Sequence, residues 1–306
     1  MSEVLVVDNG SGAELDAARE LPGVRVVEPG RNVGFAAGCN LGAEVARGDV
    51  LVFLNPDTVV APGAVAVLAE RAAEPGVGMA MARLRLLDRP DVLNSAGNVL
   101  HVSGIAWAGR YGEPVESVTE PAEVPYASGA ALAIRRALFH ELGGFTDELF
   151  MYQEDLELCW KARLRGLRVV VEPSADVFHD YRYDRNPQKR YLLERNRLVF
   201  VVSAFSGRLL AVLSPVLLAA ELSLAALALR QGWLRDKARG WAWCLRHAGW
   251  LLRHRRETQR LRRVPDRELT RWLTPVLDPA MLEVPGAVRL LNPLLSAYWS
   301  LARRLV

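Results

Sequence analysis

A few carboxylates, one histidine and a cluster of arginines carry the chemistry this sequence can do. Asp8-Asn9-Gly10-Ser11 follows a short apolar run at residues 4–7. A carboxylate at a strand end accepts hydrogen bonds from a nucleobase imide or a ribose. An Asx turn uses the same residues merely to reverse the chain. Asn55-Pro56-Asp57 follows Leu51-Val52-Phe53-Leu54. A hard divalent cation on a diphosphate needs one or two protein oxygens and fills its other positions with phosphate and water. Asp57, fixed behind a proline, meets that need, as does an ordinary type I turn. Glu154-Asp155 stands at a helix start, where acids also cap the helix and complement its dipole. Its chemical reading is a general base on the same edge as Asp57. His179, after Val177-Phe178, is either a ligand or a satisfied surface residue. Arg190, Arg195 and Arg197, with Asn196, suit a phosphate clamp or the flank of an apolar helix.

The elements that must position these groups alternate. Residues 4–7, 24–27 and 50–54 read as strands, and residues 13–20, 32–46 and 62–73 as helices. Alternation of this kind predicts an α/β, doubly wound sheet. Ligands there bind beyond the carboxyl ends of the strands, the edge that holds Asp8 and Asp57. Residues 88–126, rich in Gly, Pro and polar side chains, read as long loops or short antiparallel strands suited to substrate selection. A short helix over 135–142 stops at Gly143-Gly144. A second helix over 155–165 shows Leu156, Cys159, Trp160 and Leu164 at helical spacing and stops at Gly166. A strand follows at 169–171.

Taken in order, Val6-Val7-Asp8-Asn9-Gly10-Ser11, Asn32-Val33-Gly34-Phe35-Ala36-Ala37-Gly38-Cys39-Asn40-Leu41-Gly42, Phe53-Leu54-Asn55-Pro56-Asp57, Ser128-Gly129-Ala130 with Arg135-Arg136, and Gly143-Gly144-Phe145 through Glu154-Asp155-Leu156 resemble the family 2 glycosyltransferases. The resemblance is nearest to the rhamnosyltransferase-like branch and covers the segment 3–200. It implies a GT-A fold, the nucleotide-diphospho-sugar transferase sheet, over residues 1–189, doubly wound and mixed. It further implies that Asp8, Asn9, Asn32, Gly34, Asn55, Gly129 and Arg197 bind the nucleotide sugar. Asp57 and His179 would hold Mg2+ or Mn2+, and Asp155, with Glu154 beside it, would be the catalytic base. The implied reaction is inverting transfer of a hexosyl or rhamnosyl group from a UDP- or dTDP-sugar to a glycan or lipid-linked acceptor hydroxyl, in cell-wall or surface polysaccharide synthesis. Asn55 departs from the family's usual first acid. Family members also begin with one more strand-helix unit ahead of the VVDNGS-like strand, so the expectation is a start codon lying upstream of Met1. Two rival functions share these residues: a sugar nucleotidyltransferase, and a non-catalytic membrane-bound scaffold with a degraded donor site.

The net charge of +3 hides an asymmetry. Residues 1–179 hold 15 Lys and Arg against 25 Asp and Glu, whereas residues 180–306 hold 23 against 10. Six of the eight tryptophans lie in that basic part. Within residues 209–229 the only charge is Glu221, and Arg208 and Arg230 flank the run. Its length permits a membrane span. Glu221 near the bilayer centre would cost about 2.5–3.5 kcal/mol, which favours lying flat or a short hairpin. Residues 233–256 predict one amphipathic helix, with Leu234, Ala238, Trp241, Leu245, Ala248 and Leu252 on the apolar face and Arg235, Arg239, Arg246 and Arg253 off it. Residues 190–306 are therefore expected to form an α-helical region on an anionic membrane surface, the cytoplasmic face of the cell membrane, without nucleic-acid binding. Cys39, Cys159 and Cys244 form no CxxC pair, which argues against a zinc site or disulfide framework. No signal peptide is legible.

Overall fold

The computed structural model describes residues 3–10, 15–181, 186–277 and 290–306. Ser11 and Gly12 of the first motif lie outside the described residues. The chain opens with β1 (Val4–Val7), α1 (Asp16–Arg19), β2 (Val24–Val27), α2 (Gly34–Val45) and β3 (Val50–Leu54). A short β4 (Thr58–Val60) and α3 (Ala64–Ala73) lead to β5 (Val77–Leu86), which is buried almost throughout. Its apolar first part, residues 77–82, is buried at every position, as in a strand covered on both faces.

The segment expected as loops or short strands forms β6 (Leu93–Ser95), β7 (Asn98–His101), β8 (Ala106–Ala108) and β9 (Ala122–Glu123). β6 and most of β7 are buried. Next come β10 (Ala131–Arg135), α4 (Arg136–Glu141), α5 (Glu154–Leu164) and β11 (Arg168–His179). β11 runs far beyond the expected 169–171, because a register shift between Glu172 and Asp176 absorbs Pro173 and lets pairing resume.

The main sheet has seven strands. Its order is β3-β10-β5-β11-β4, with β6 on β5 and β9 on β11. β5 and β11 are parallel, while β10 runs antiparallel to both β3 and β5, so the sheet is mixed as expected. β1 and β2 pair in parallel as a separate sheet. The strands that lead to Asp8 and to Asn55 therefore do not share one sheet among the described residues. β1 is joined to the rest through α2 instead: the place of a Cβ on Gly42 lies 3.2 Å from Val7 Cγ2. Phe53, Phe139 and Phe145 form the aromatic centre beneath the sheet edge, with ring centroids 5.1–5.4 Å apart.

The remainder is helical: α6 (Lys189–Ala204), α7 (Gly207–Arg230), α8 (Leu234–Arg246), α9 (Ala248–Arg260), α10 (Asp266–Thr270), a two-residue β12 (Leu273–Thr274) and α11 (Asn292–Ala302). β12 pairs with β7, and Arg163 stacks 3.6 Å over Trp272. The change of composition near residue 190 is thus a change of secondary structure, while packing continues across it.

One expectation for this region is corrected. The helix expected over 233–256 is two helices, broken at His247 (φ −105°, ψ 20°). The expected apolar face is turned outward. Leu245 and Leu252 are 78% and 53% exposed, whereas Lys237, Gly240, Leu251, His254 and Thr258 are buried. Gly240 lets α8 approach α6, where a Cβ would sit 3.4 Å from the Arg195 nitrogen. Lys237 is drawn inward by Glu194 at 2.5 Å and Glu221 at 3.0 Å. Glu221 therefore faces the protein, where it also pairs with Arg197 and accepts from Trp241 Nε1 at 3.0 Å.

Candidate active site

Asp57 and His179 are brought together by strand pairing. β4 runs antiparallel to β11 with Thr58 opposite His179, and the Asp180 amide donates to the Asp57 carbonyl at 2.9 Å. This places His179 Nε2 3.3 Å from Asp57 Oδ1. The other ring nitrogen, Nδ1, lies 3.0 Å from Asn94 Oδ1. An amide oxygen only accepts, so Nδ1 carries the hydrogen and Nε2 turns to Asp57. A carboxylate oxygen and an imidazole nitrogen this close share a proton or a cation. Both are ligand types for a divalent metal such as Mn2+, and the Asn94 amide behind the ring orients it. Among the described residues no group of three or more His, Cys, Asp or Glu side chains gathers around one point. Asp57 and His179 thus fit a cation whose other ligands come from a diphosphate and water.

Asp155 is anchored on the turn that leads into β10. Its Oδ2 accepts from the Gly129 amide at 2.9 Å and its Oδ1 from the Leu156 amide at 2.7 Å. Gly129 suits this contact, since an added Cβ would already touch Asp155 Cβ and the Phe35 ring at 3.5 Å. Burial pushes the Asp155 carboxyl above its ordinary range, and the two backbone N–H groups oppose that rise. Burial, then the charge of Asp155, pushes Glu154 well above the carboxylate range. Glu154 Oε2 is buried without a hydrogen-bond partner, consistent with a neutral acid. The two acids therefore divide: Asp155 is held by donors suited to its charged form, and Glu154 is not.

The segment before the acids is strained. Phe150, Tyr152 and Gln153 all have positive φ, at 64°, 71° and 66°. Three non-glycine residues in that region need strong surroundings to hold them. One support is α2: the Ala36 amide donates to the Phe150 carbonyl at 3.1 Å, and Gly34 (φ +88°) leaves room for the Phe150 ring. Asn40 supplies a second, donating to Phe145 O at 2.8 Å and Asp147 Oδ1 at 2.7 Å.

The other site residues join these two centres. The Asn55 amide donates to Ala130 O at 3.1 Å, so the metal edge and the Gly129 anchor are adjacent. Asp8 Oδ1 accepts from the Gly10 amide at 3.1 Å, an Asx turn. Asn9 Oδ1 accepts from Val33 N at 2.7 Å and Asn32 Oδ1 from Gly34 N at 3.0 Å, tying the end of β1 to the start of α2.

Arg197 does not join this group as a phosphate clamp, and that expectation is corrected. Its guanidinium is buried, donates to Ser103 O at 3.2 Å, and is neutralised by Glu194 and Glu221. Arg195 and Asn196 are likewise turned inward, toward backbone carbonyls. Asn94 was not singled out from the sequence, where its only signal is an asparagine after the apolar Val92-Leu93. Asn196 was, as part of a phosphate clamp, and the structure turns it to backbone carbonyls instead.

The family model described as Glycosyl transferase family 2 matches residues 2–143. An N-acetylglucosaminyl-diphospho-decaprenol L-rhamnosyltransferase of Mycobacterium tuberculosis is 30% identical over 235 residues, 67% of this chain and 76% of that protein. The protein y4gI of Sinorhizobium fredii, described as uncharacterized, is 30% identical over 212 residues; this chain spans only 23% of its length. The crystal structure of GalNAc-T7 with UDP, GalNAc and Mn2+ has a TM-score of 0.56 at 21% identity, covering 66% of this chain and 41% of that one. That likeness bears on the fold alone. With a relative 30% identical and matched over most of its own length, the chain belongs to glycosyltransferase family 2 and has its GT-A fold.

Proposed function

We propose that this glycosyltransferase moves a hexosyl or rhamnosyl group, with inversion, from a UDP- or dTDP-sugar to an acceptor hydroxyl. The reading rests above all on one observation: Asp155 is anchored on the Gly129 amide, and the next residue, Ala130, accepts from the Asn55 amide two residues before Asp57, which pairs with His179. In this reading Asp155 accepts the acceptor proton as the hydroxyl attacks the anomeric carbon. Glu154, neutral and buried, keeps the neighbouring charge single. Asp57 and His179 hold Mg2+ or Mn2+, which supplies charge neutralisation for the departing diphosphate. Asp8, Asn9, Asn32 and Gly34 form the nucleoside side of the cleft, with Asn55 and Gly129 between it and the acid. The work of the chain is positioning and electrostatics.

The acceptor we favour is a lipid-linked glycan in cell-wall or surface polysaccharide synthesis, reached from the cytoplasmic face of the membrane. The name of the mycobacterial relative, a transferase to a decaprenol-linked sugar, supports the acceptor class. Surface chemistry supports the location. Leu218, Leu222 and Leu229 of α7 are exposed, as are Leu294 and Leu301 of α11, and the sequence places Arg208, Arg230, Arg303 and Arg304 at the ends of these helices. α7 is long and apolar enough to cross a bilayer. Its other side buries Leu209, Leu213, Val216 and Ala228 and turns Glu221 inward, which favours a helix lying flat in the headgroup plane.

Release of the nucleoside diphosphate from a panel of nucleotide sugars, with a polyprenyl-diphosphate-sugar acceptor, tests the reaction. Asp155→Asn is expected to lower kcat by about 10²–10⁴-fold, the usual worth of a general base. Full turnover in that variant overturns the base assignment, and full turnover in excess chelator overturns the metal.

A further inference from the structure

Asn196 is fully buried in the middle of α6, and its NH2 group is used entirely outside that helix. Nδ2 lies within donating distance of the carbonyls of Leu149 at 3.0 Å, Met151 at 2.8 Å and Tyr152 at 2.7 Å, which share its two hydrogens. Oδ1 accepts from Arg195 Nε at 2.8 Å. Arg195 Nη2 donates in turn to the carbonyls of Glu148 at 2.8 Å and Leu149 at 2.7 Å. Phe150 O is taken by the Ala36 amide. Every carbonyl from Glu148 to Tyr152 is therefore bound, and all but one by this pair of side chains. Arg195 is itself fixed, lying 4.9 Å over the Trp243 ring.

The segment so held carries the positive φ angles at Phe150, Tyr152 and Gln153 and runs directly into Glu154-Asp155. Each such residue is strained and persists only where its surroundings over-determine it. Burying an amide and a guanidinium in a helix is also costly unless every polar atom is satisfied. Both costs are met by the same set of bonds. We propose that Arg195 and Asn196 are positioning residues for the catalytic base: they hold the strained 149–153 segment so that α5 begins where Asp155 meets Gly129.

This inference rests on the reading of Asp155 as base. A misplacement of about 1 Å at a reacting group is worth roughly 100-fold in rate. Asn196→Ala and the isosteric Asn196→Asp, which sets a carboxylate against three carbonyls, are thus expected to lower kcat about 100-fold. KM for the nucleotide sugar should stay within about twofold, since the donor's contacts lie on other elements. Hydrogen exchange should rise at the amides of 149–155 and stay unchanged in β5 and β10. Wild-type kcat in a folded Asn196→Asp protein overturns the proposal. So does a loss in which KM, kcat and exchange protection change together throughout the molecule. Should the Asn196 variants fail to fold, Arg195→Lys, which leaves Asn196 in place, carries the same readouts with a smaller loss. Asp155→Asn measured alongside separates the two readings: if it keeps full turnover the base assignment fails, while exchange at 149–155 still reports whether Asn196 holds the segment.

Discussion

Gly34→Ala is the sharpest single test of how the acid pair is supported. Gly34 has φ +88°, and a Cβ built there falls 2.5 Å from Phe150 Cδ2 and 2.6 Å from the Phe150 carbonyl oxygen. Ordinary contact begins near 3.4 Å, so Phe150 must retreat by about 0.9 Å. Left-handed backbone at a residue with a Cβ costs about 1–2 kcal/mol. Forced repacking adds about 1–3 kcal/mol. The sum is about 2–5 kcal/mol. The retreat also removes the Ala36–Phe150 hydrogen bond and shifts Gln153, so kcat should fall by roughly 100-fold through Asp155. Urea unfolding at constant m-value reads the stability, and nucleoside diphosphate release reads the rate. Gly38→Ala is the control: a Cβ there meets only Val7 and Asn9 at 3.8–4.0 Å, without positive φ. In mid-helix that change should be neutral or stabilising by up to about 1 kcal/mol. A Gly34→Ala protein that loses less than about 1 kcal/mol and turns over normally would refute the argument.

Three further outcomes are expected. Asn94→Ala should weaken Mn2+ binding by about 10–100-fold in calorimetric titration with UDP present, because His179 loses the group that orients it; equal affinity rejects that role. The buried Glu157 carboxyl would be raised by burial, but Lys161, His254 and Thr146 hold it down at about 2. Its contribution is present above the ordinary glutamate value and is lost as pH falls from there through about 2. The stability gap between wild type and Glu157→Gln, of about 3 kcal/mol at neutral pH, should therefore shrink on acidification; a gap unchanged down to the end of that window contradicts it. Leu218→Asp with Leu222→Asp should abolish co-sedimentation with phosphatidylglycerol vesicles and leave transfer to a soluble acceptor analogue unchanged; retained sedimentation counts against the flat-helix reading.

The residues that end strands were legible because their chemistry is local. Asn55-Pro56-Asp57 and Glu154-Asp155 are marked by a neighbouring apolar run and by a helix start, and both sit where that reading puts them. The bonds made by Asn94 and Asn196 were not legible, since their partners are 85 residues away in one case and more than 40 in the other. Nothing adjacent in the chain announces such a bond. The inward face of α8 was not legible for a related reason. Helical period groups Leu245 and Leu252, but Glu194 and Glu221, from two other helices, decide that Lys237 goes inside. Arg197 was read as a clamp because arginine near a nucleotide fold suggests phosphate; its acidic partners on α6 and α7 were the missing information.

The pairing of β12 with β7 joins residue 273 to residue 100 and residue 274 to residue 101. A ribosome adding about 5–20 residues per second needs roughly 10–35 s to cover that interval. During it the newborn catalytic half exists with the edge of β7 open and Trp272 not yet made. Maturation of the enzyme is therefore timed by its far end, and a chaperone or a bilayer acting on the helices as they emerge acts before the sugar-handling half has closed.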